Sequence, residues 1–266
     1  MPKGSITRGT TNPNRLRRVD RWASRWPGLR STPDPLVVDL GYGSSAVTPV
    51  EFIERIRRVR HDASLVGFEI DPERVRSARA DLPTLEAQGR DTANLAFELG
   101  GFETPLAPGR SAIIIRAFNV LRQYNESEVA EAWSLMAKRL QPGGVLIDGT
   151  CDEIGRVASW VAVTPDGPQT LTISLRLTDL DLPSIAAERL PKVLIHRNVP
   201  GERVHAFFID LDRWWTTHVG LGGFGTEQRW VATVQSMKES GWPVRDGRAQ
   251  WRLGEITVEW SAVAPT

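Results

Sequence analysis

Asp39, Gly41, Gly43 and Glu69 are the residues of this chain whose types and spacing suit a shared chemistry. The apolar run of residues 36–40 ends beside Asp39 and breaks into the turn Gly41-Tyr42-Gly43, and Glu69 follows Gly43 by 26 positions at the end of a second apolar run. Glycine lets backbone come close to a ligand and take dihedrals that other residues avoid. A carboxylate at the end of the neighbouring strand can accept hydrogen bonds from both hydroxyls of a ribose. Together they indicate a nucleoside-containing ligand. A dinucleotide would need its pyrophosphate at an open helix N-terminus and a third glycine for close packing. Here Ser45 is followed by Ala46 and Val47, and Thr48 and Glu51 are placed to cap the next helix themselves. Asp39 would repel phosphate and suit a cation such as an amino group or a sulfonium. A nucleoside with a positive tail and no phosphate therefore fits better than a nicotinamide dinucleotide.

The elements that must hold these residues follow from the hydrophobic pattern. Strands are expected at residues 36–40, 64–70, 94–99, 112–115 and 145–148. Helices are expected after Thr48-Pro49-Val50-Glu51, after Asp71-Pro72-Glu73 and after Asn125, where Glu128 completes a capping box. Val129, Ala132, Trp133, Met136 and Leu140 then form one helical stripe, and Pro142-Gly143-Gly144 separates it from the fifth strand. Alternation of strand and helix over this length predicts a parallel sheet covered on both faces. Further on, residues 157–163 and 171–177 flank Thr164-Pro165-Asp166-Gly167-Pro168 as a hairpin, residues 183–225 read as helical and irregular, and a helix over 227–239 precedes closing strands at 241–244 and 256–260.

"VVDLGYGSS" resembles the first motif, D-x-G-x-G, of the class I S-adenosylmethionine-dependent methyltransferases. "LVGFEIDPERV" is similar to their second-strand motif, "IIIRAFNVLRQY" to their fourth strand and pocket segment, "RLQPGGVLIDG" to their turn into strand five, and "KESGWPV…ITVEW" to their last helix and closing strands. The resemblance covers residues 36–150 well and 226–261 loosely. It implies an α/β fold: a three-layer Rossmann-like sandwich with a mostly parallel seven-stranded sheet, one strand antiparallel, plus an inserted hairpin and helical segment. It also implies S-adenosyl-L-methionine as cofactor. Asp39, Gly41, Tyr42 and Gly43 would line the methionine end, Glu69 would hold the ribose, and Ile70 would pack on the adenine. Gly101-Phe102 stands where the family often has an acidic residue beside the adenine, so a backbone amide and the Phe102 ring are expected there. Asn119 would lie below the transferring methyl. The expected organisation is a basic extension with a helix at 1–35, a cofactor-binding core at 36–150, an acceptor-site insertion at 151–225 and completion of the core at 226–266.

Methyl transfer needs a general base only when the nucleophile holds a tightly bound proton. His196, His205, His218 and Tyr124 are the candidates, and Tyr124 and Arg116 are expected to line the acceptor pocket from the strand-four side. N-P-P-[YF], the tetrapeptide of amino-methylating enzymes on adenine or glutamine, is absent, and Cys151 lacks the second cysteine of RNA cytosine enzymes. No spacing of ligands suggests a metal. A small-molecule acceptor is expected. The alternative is an RNA substrate held by residues 1–35, whose eight basic residues against two acidic ones make that segment +6 in a chain of net charge +1. Leu16, Val19, Trp22, Ala23 and Trp26 fall at helical spacing there, so a docked helix with solvated charges is the plainer expectation. An NAD(P)-dependent oxidoreductase and a non-enzymatic module binding partners through its tryptophans are less favoured. One cysteine, no signal-like apolar core at residues 1–12 and no run of about 18 apolar residues lead us to expect a cytoplasmic protein without a membrane span. Oligomeric state is open.

Overall fold

The computed structural model describes residues 2–6 and 12–266. Eight strands hydrogen-bond in the order β3-β2-β1-β4-β5-β6-β7-β8: β1 Leu36–Leu40, β2 Ser64–Glu69, β3 Leu95–Leu99, β4 Ala112–Phe118, β5 Leu140–Cys151, β6 Val157–Thr164, β7 Gly167–Leu175 and β8 Glu255–Glu259. The α-helices among the described residues are α1 Arg17–Ala23, α2 Pro27–Ser31, α3 Val47–Arg57, α4 Pro72–Ala87, α5 Glu126–Ala137, α6 Lys192–Ile195, α7 Arg203–Thr217, α8 Thr226–Glu239 and α9 Arg248–Trp251. The fold is Rossmann-like α/β. The sheet has eight strands where seven are expected, because both arms of the hairpin pair within it. The chain divides into two compact units.

The first unit comprises residues 1–148, 153–155 and 163–167. Its strands β1, β2, β3 and β4 are parallel neighbours, with Asp39 beside Gly67 on one side and Arg116 on the other. Strand order reverses between β1 and β4, the place where open α/β sheets receive ligands beyond their carboxyl ends. Residues of β1 and β4 are buried throughout, as a strand covered on both faces requires. Asp71 caps α4 through the Glu73 amide (2.9 Å), and Glu128 accepts from the Asn125 amide (2.8 Å) to complete the capping box of α5. The box expected at Thr48 and Glu51 does not form. Helix α3 begins two residues earlier, at Val47 and not Pro49, so neither side chain reaches a cap position. Glu51 instead accepts from the Asn14 amide (2.8 and 2.9 Å) and pairs with Arg55, one turn on.

A buried ionic cluster ties α1 to the sheet. Arg116 forks onto Asp39, its neighbour across β1 and β4, with Nε–Oδ1 at 2.9 Å, and its Nη1 reaches Asp20 of α1. Asp20 also receives Arg55 at 2.6 Å, and the Phe52 ring lies 4.1 Å beneath the guanidinium. Arg116 and Asp20 are completely buried. Burial raises the Asp20 carboxyl above its ordinary range, against the pull of Arg116 and Arg55. Burial alone would lower Arg116; the charges of Asp39 and Asp20 reverse this and hold its proton above the ordinary range.

Asp148, buried in β5, accepts from the charge-neutral Trp133 indole N–H at 2.9 Å. Burial pushes its pKa up to about 7 from 3.8. A folded-state value raised in this way means that stability is greatest below about pH 4 and falls as pH rises to about 7, because the unfolded chain loses the proton first. The full linkage is on the order of 4 kcal/mol. Asp148→Asn keeps an acceptor for Trp133 but buries an amide, and should leave the variant about 2 kcal/mol more stable than the parent at pH 8. Urea titrations at pH 4, 6 and 8 check this: the gap should open with pH, and a constant difference would refute it.

The second unit comprises residues 149–152, 156–162 and 168–266. Strands β7 and β8 are antiparallel, with Ile173 opposite Ile256. Only a single bridge, Val244 to Val258, stands where a strand over 241–244 is expected. Pro243 has no N–H to donate and Gly241 takes φ +102°, so no ladder can extend. Helix α7 buries Val204, Phe207, Phe208, Leu211 and Trp215, and α8 buries Trp230, Val234 and Met237. The Trp215 and Trp230 rings meet edge to face at 6.2 Å, and their indole N–H groups find the carbonyls of Asp181 and Glu255. Trp160, Trp215 and Trp230, three of the tryptophans that could have marked a partner surface, are wholly buried core.

Candidate functional site

Glu69 is the hinge of the site. It is 1% exposed and closes the β1 turn against the end of β2. Its Oε2 accepts from the Gly43 amide at 3.1 Å, its Oε1 from the Ile70 amide at 2.9 Å, and Arg74 approaches to 3.5 Å. Gly41 and Gly43 lie at φ +68° and +90°. A side chain at Gly41 would come within 2.6 Å of Val120, so glycine is needed for both conformation and space.

A small cavity, with about 20 Å³ of free volume, opens here beyond the carboxyl ends of β1, β2, β3 and β4. Gly41, Glu69, Ile70, Gly101, Phe102 and Tyr124, all singled out from sequence, line it. Leu40, Gly100, Val120, Lys3 and Ser5 complete the wall.

Other sequence-selected residues lie elsewhere. Tyr42 is buried against Phe97 (ring centroids 4.9 Å apart) in a core cluster with Val50 and Val75. Gly67 makes room for this pair, since a Cβ there would lie 2.7 Å from Phe97 and 3.0 Å from Tyr42. Gly43 contributes its amide to Glu69. Asn119 ends β4 in the left-handed region (φ +61°), and its carbonyl accepts from Gln123 at 3.4 Å. Asp39 is the main departure from expectation. Its carboxylate is engaged by Arg116 on both oxygens and is 2% exposed, so it offers no open negative charge to a cationic ligand. Arg116 is likewise a structural partner and not an acceptor-pocket residue.

The start of α3 is occupied, as expected, but by groups other than Thr48 and Glu51. The first amides of α3 are held by carboxylate and hydroxyl: Ala46 N–H by Asp81 at 3.2 Å and Val47 N–H by Ser45 at 3.3 Å. Asp81, from α4, is the residue that sequence reading missed, because nothing in local spacing links it to the β1 turn 35 positions earlier. Glu103 is another. It lies two residues beyond Gly101, near where an acidic residue is often found, and binds the Gly101 amide (3.0 Å) and the Lys3 amide (2.7 Å).

The base candidates have local partners. His196 is exposed and 3.3 Å from Lys192; His205 faces Asn198 at 3.2 Å; His218 meets Ser236 at 2.9 Å and stacks on Trp214. Tyr124 is at the cavity, its ring 5.0 Å from Phe102 and its hydroxyl bonded to the Ser5 backbone. Burial raises the Tyr124 pKa above the ordinary tyrosine value, and the hydroxyl accepts from the Ser5 amide and donates to its carbonyl. Cys151 is buried. In the basic segment, Arg17 and Arg18 direct their guanidinium groups to the carbonyls of Ile154 and Gly155, so part of its charge holds α1 in place. Among the described residues no helix is long and apolar enough to cross a membrane.

No family model and no curated protein matches the sequence. Solved methyltransferase structures match parts of the chain. The methyltransferase CcbJ from Streptomyces caelestis is 17% identical over 61% of this chain and 66% of its own, with a TM-score of 0.36. The plantazolicin methyltransferase BpumL, solved with S-adenosylhomocysteine, is 12% identical over 52% of this chain and 47% of its own, with a TM-score of 0.38. An O-methyltransferase from neocarzinostatin biosynthesis, also solved with S-adenosylhomocysteine, is 19% identical over 44% of this chain and 35% of its own, with a TM-score of 0.34. The chain spans less than two thirds of the length of each.

Proposed function

We propose that this chain is a class I S-adenosylmethionine-dependent methyltransferase that acts on an oxygen or nitrogen of a small-molecule acceptor. The observation that carries the reading is Glu69. A buried carboxylate, fixed by the Gly43 and Ile70 amides, forms part of the cavity wall at the end of β2. A carboxylate anchored in this way can accept ribose hydroxyls with its remaining lone pairs. Ile70 and Phe102 provide apolar surface for a base, and the Phe102 amide a donor. The nucleoside half of the cofactor thus fits the residues present. The methionine half has to be held by groups other than Asp39, whose charge is balanced by Arg116. S-adenosylmethionine bound here would supply a methyl already activated on sulfur. An acceptor lone pair would form the new bond as the carbon–sulfur bond breaks, leaving a neutral thioether and placing the positive charge on the acceptor, which loses it with any proton it releases. The contribution asked of the protein is alignment and exclusion of water.

Because the Asp39 charge is balanced, a dinucleotide is opposed by the occupied start of α3 and the lack of a third glycine, without charge repulsion, and direct competition is the decisive test. Calorimetry with S-adenosylhomocysteine and with NAD should show binding of the first only. NAD binding with no response to S-adenosylhomocysteine would overturn the proposal. Transfer of radiolabelled methyl into a cell extract, followed by size separation of the labelled product, then tests the acceptor class.

A further inference from the structure

The residues that would receive a nucleobase are already engaged by the chain itself. Lys3 O accepts from the Phe102 amide at 2.9 Å. The Ser5 amide and carbonyl both bind the Tyr124 hydroxyl, at 2.5 and 3.0 Å, and the Lys3 amide binds Glu103 at 2.7 Å. Gly4 lies between these bonds. A Cβ placed on it would be 2.8 Å from the Tyr124 hydroxyl, 3.5 Å from Ile70 Cδ1 and 3.6 Å from the Phe102 ring. These are the apolar groups assigned above to a base. The fit is built on both sides. Gly4 has φ +132°, a value that L side chains rarely adopt, and a side chain at Gly101 would strike Lys3 O at 2.0 Å. Residues 3–5 contact pocket residues roughly 100 positions away in sequence with backbone hydrogen bonds, although their own side chains are exposed. With this segment seated, the cavity keeps only about 20 Å³ of free volume, far below the roughly 300–1,000 Å³ usual for a small-molecule site.

We propose that residues 3–5 form an intramolecular strap that occupies the nucleobase end of the pocket and must leave before a nucleoside ligand can bind. The Lys3 carbonyl stands in for the acceptor atom of the base on the Phe102 amide. The Gly4 backbone stands in for the base between Ile70 and Phe102. Apparent affinity is then the intrinsic affinity reduced by the fraction of molecules with the strap open. The strap rests on the nucleoside reading of the site, and the experiment separates the two.

The test uses the full chain and Gly4→Val, a position that does not line the cavity. Valine cannot adopt the Gly4 backbone conformation and collides with Tyr124 when the strap is seated. S-adenosylhomocysteine should bind Gly4→Val about tenfold more tightly than the parent, as expected when a closed state populated at about nine parts in ten is removed. In the parent, hydrogen exchange of the Ser5 amide should accelerate when the ligand is added, while the Phe102 amide stays protected. Equal or weaker binding by Gly4→Val, or slower exchange at Ser5, would overturn the strap and leave the nucleoside site standing. Absence of binding by both proteins would remove the nucleoside reading and the strap with it.

Discussion

Arg116→Met is expected to destabilise the protein by about 3–5 kcal/mol, the usual consequence of removing one partner from a buried ionic cluster. Asp20 and Asp39 would be left in the interior without their shared cation, and Phe52 would lose the guanidinium stacked on it. Methionine fills most of the volume, so the effect is electrostatic rather than a cavity. Two consequences make this specific. First, the variant should regain stability as pH falls from 8 to 5. Burial already raises the Asp20 carboxyl, and without Arg116 it loses one of the two cations that lower it; a raised value makes stability increase towards low pH. Second, adding Asp20→Asn and Asp39→Asn to Arg116→Met should recover part of the loss, which additive effects would not do. Denaturant unfolding at both pH values measures this. A loss below about 1 kcal/mol would show that the cluster is solvated.

Glu69→Gln should weaken S-adenosylhomocysteine binding by about a hundredfold. Each hydrogen bond to a charged group contributes about 1.5–3 kcal/mol, and a ribose would make two to this carboxylate. Glutamine is close in size and keeps one acceptor oxygen for the Gly43 or Ile70 amide, so the turn should hold. Unaltered far-UV circular dichroism together with lost affinity by calorimetry is the expected pair of results. Full affinity in Glu69→Gln would place the ribose elsewhere. Loss of fold would assign Glu69 to the architecture alone, as the clip between the β1 turn and β2.

The two residues share an origin and have opposite fates. Asp39 and Glu69 are carboxylates at the ends of adjacent parallel strands, and in sequence they read as equivalent candidates for a ligand. What separates them is the partner each meets. Asp39 lies beside Arg116 in the register of β1 and β4, and α1 brings Asp20 to the same guanidinium. Glu69 meets backbone amides and the cavity. Spacing along the chain carries no record of a partner 77 positions away.

Local patterns determined the elements of the first unit. Apolar runs, capping residues at Asp71 and Asn125, and the glycine turn at Gly41 each state a preference that acts within a few residues. The sheet positions follow because a run buried on both faces can only be interior. The same short range explains the failures: Thr48 and Glu51 spell a capping box, yet Glu51 is drawn to Asn14 and Arg55, and the helix starts at Val47. Tyr42, in the glycine turn, goes to the core because Gly67 and Phe97 leave it a place there. Residues 3–5 show no hydrophobic or turn signal beyond one glycine, and only folding brings their backbone to Phe102 and Tyr124. The sequence alone thus determined the strands of the first unit, their alternation with helices, and some of the residues that line the cavity, among them Gly41, Glu69 and Phe102. Tertiary structure alone decided which charges are balanced and what covers the pocket, because both depend on groups that meet through space and not along the chain.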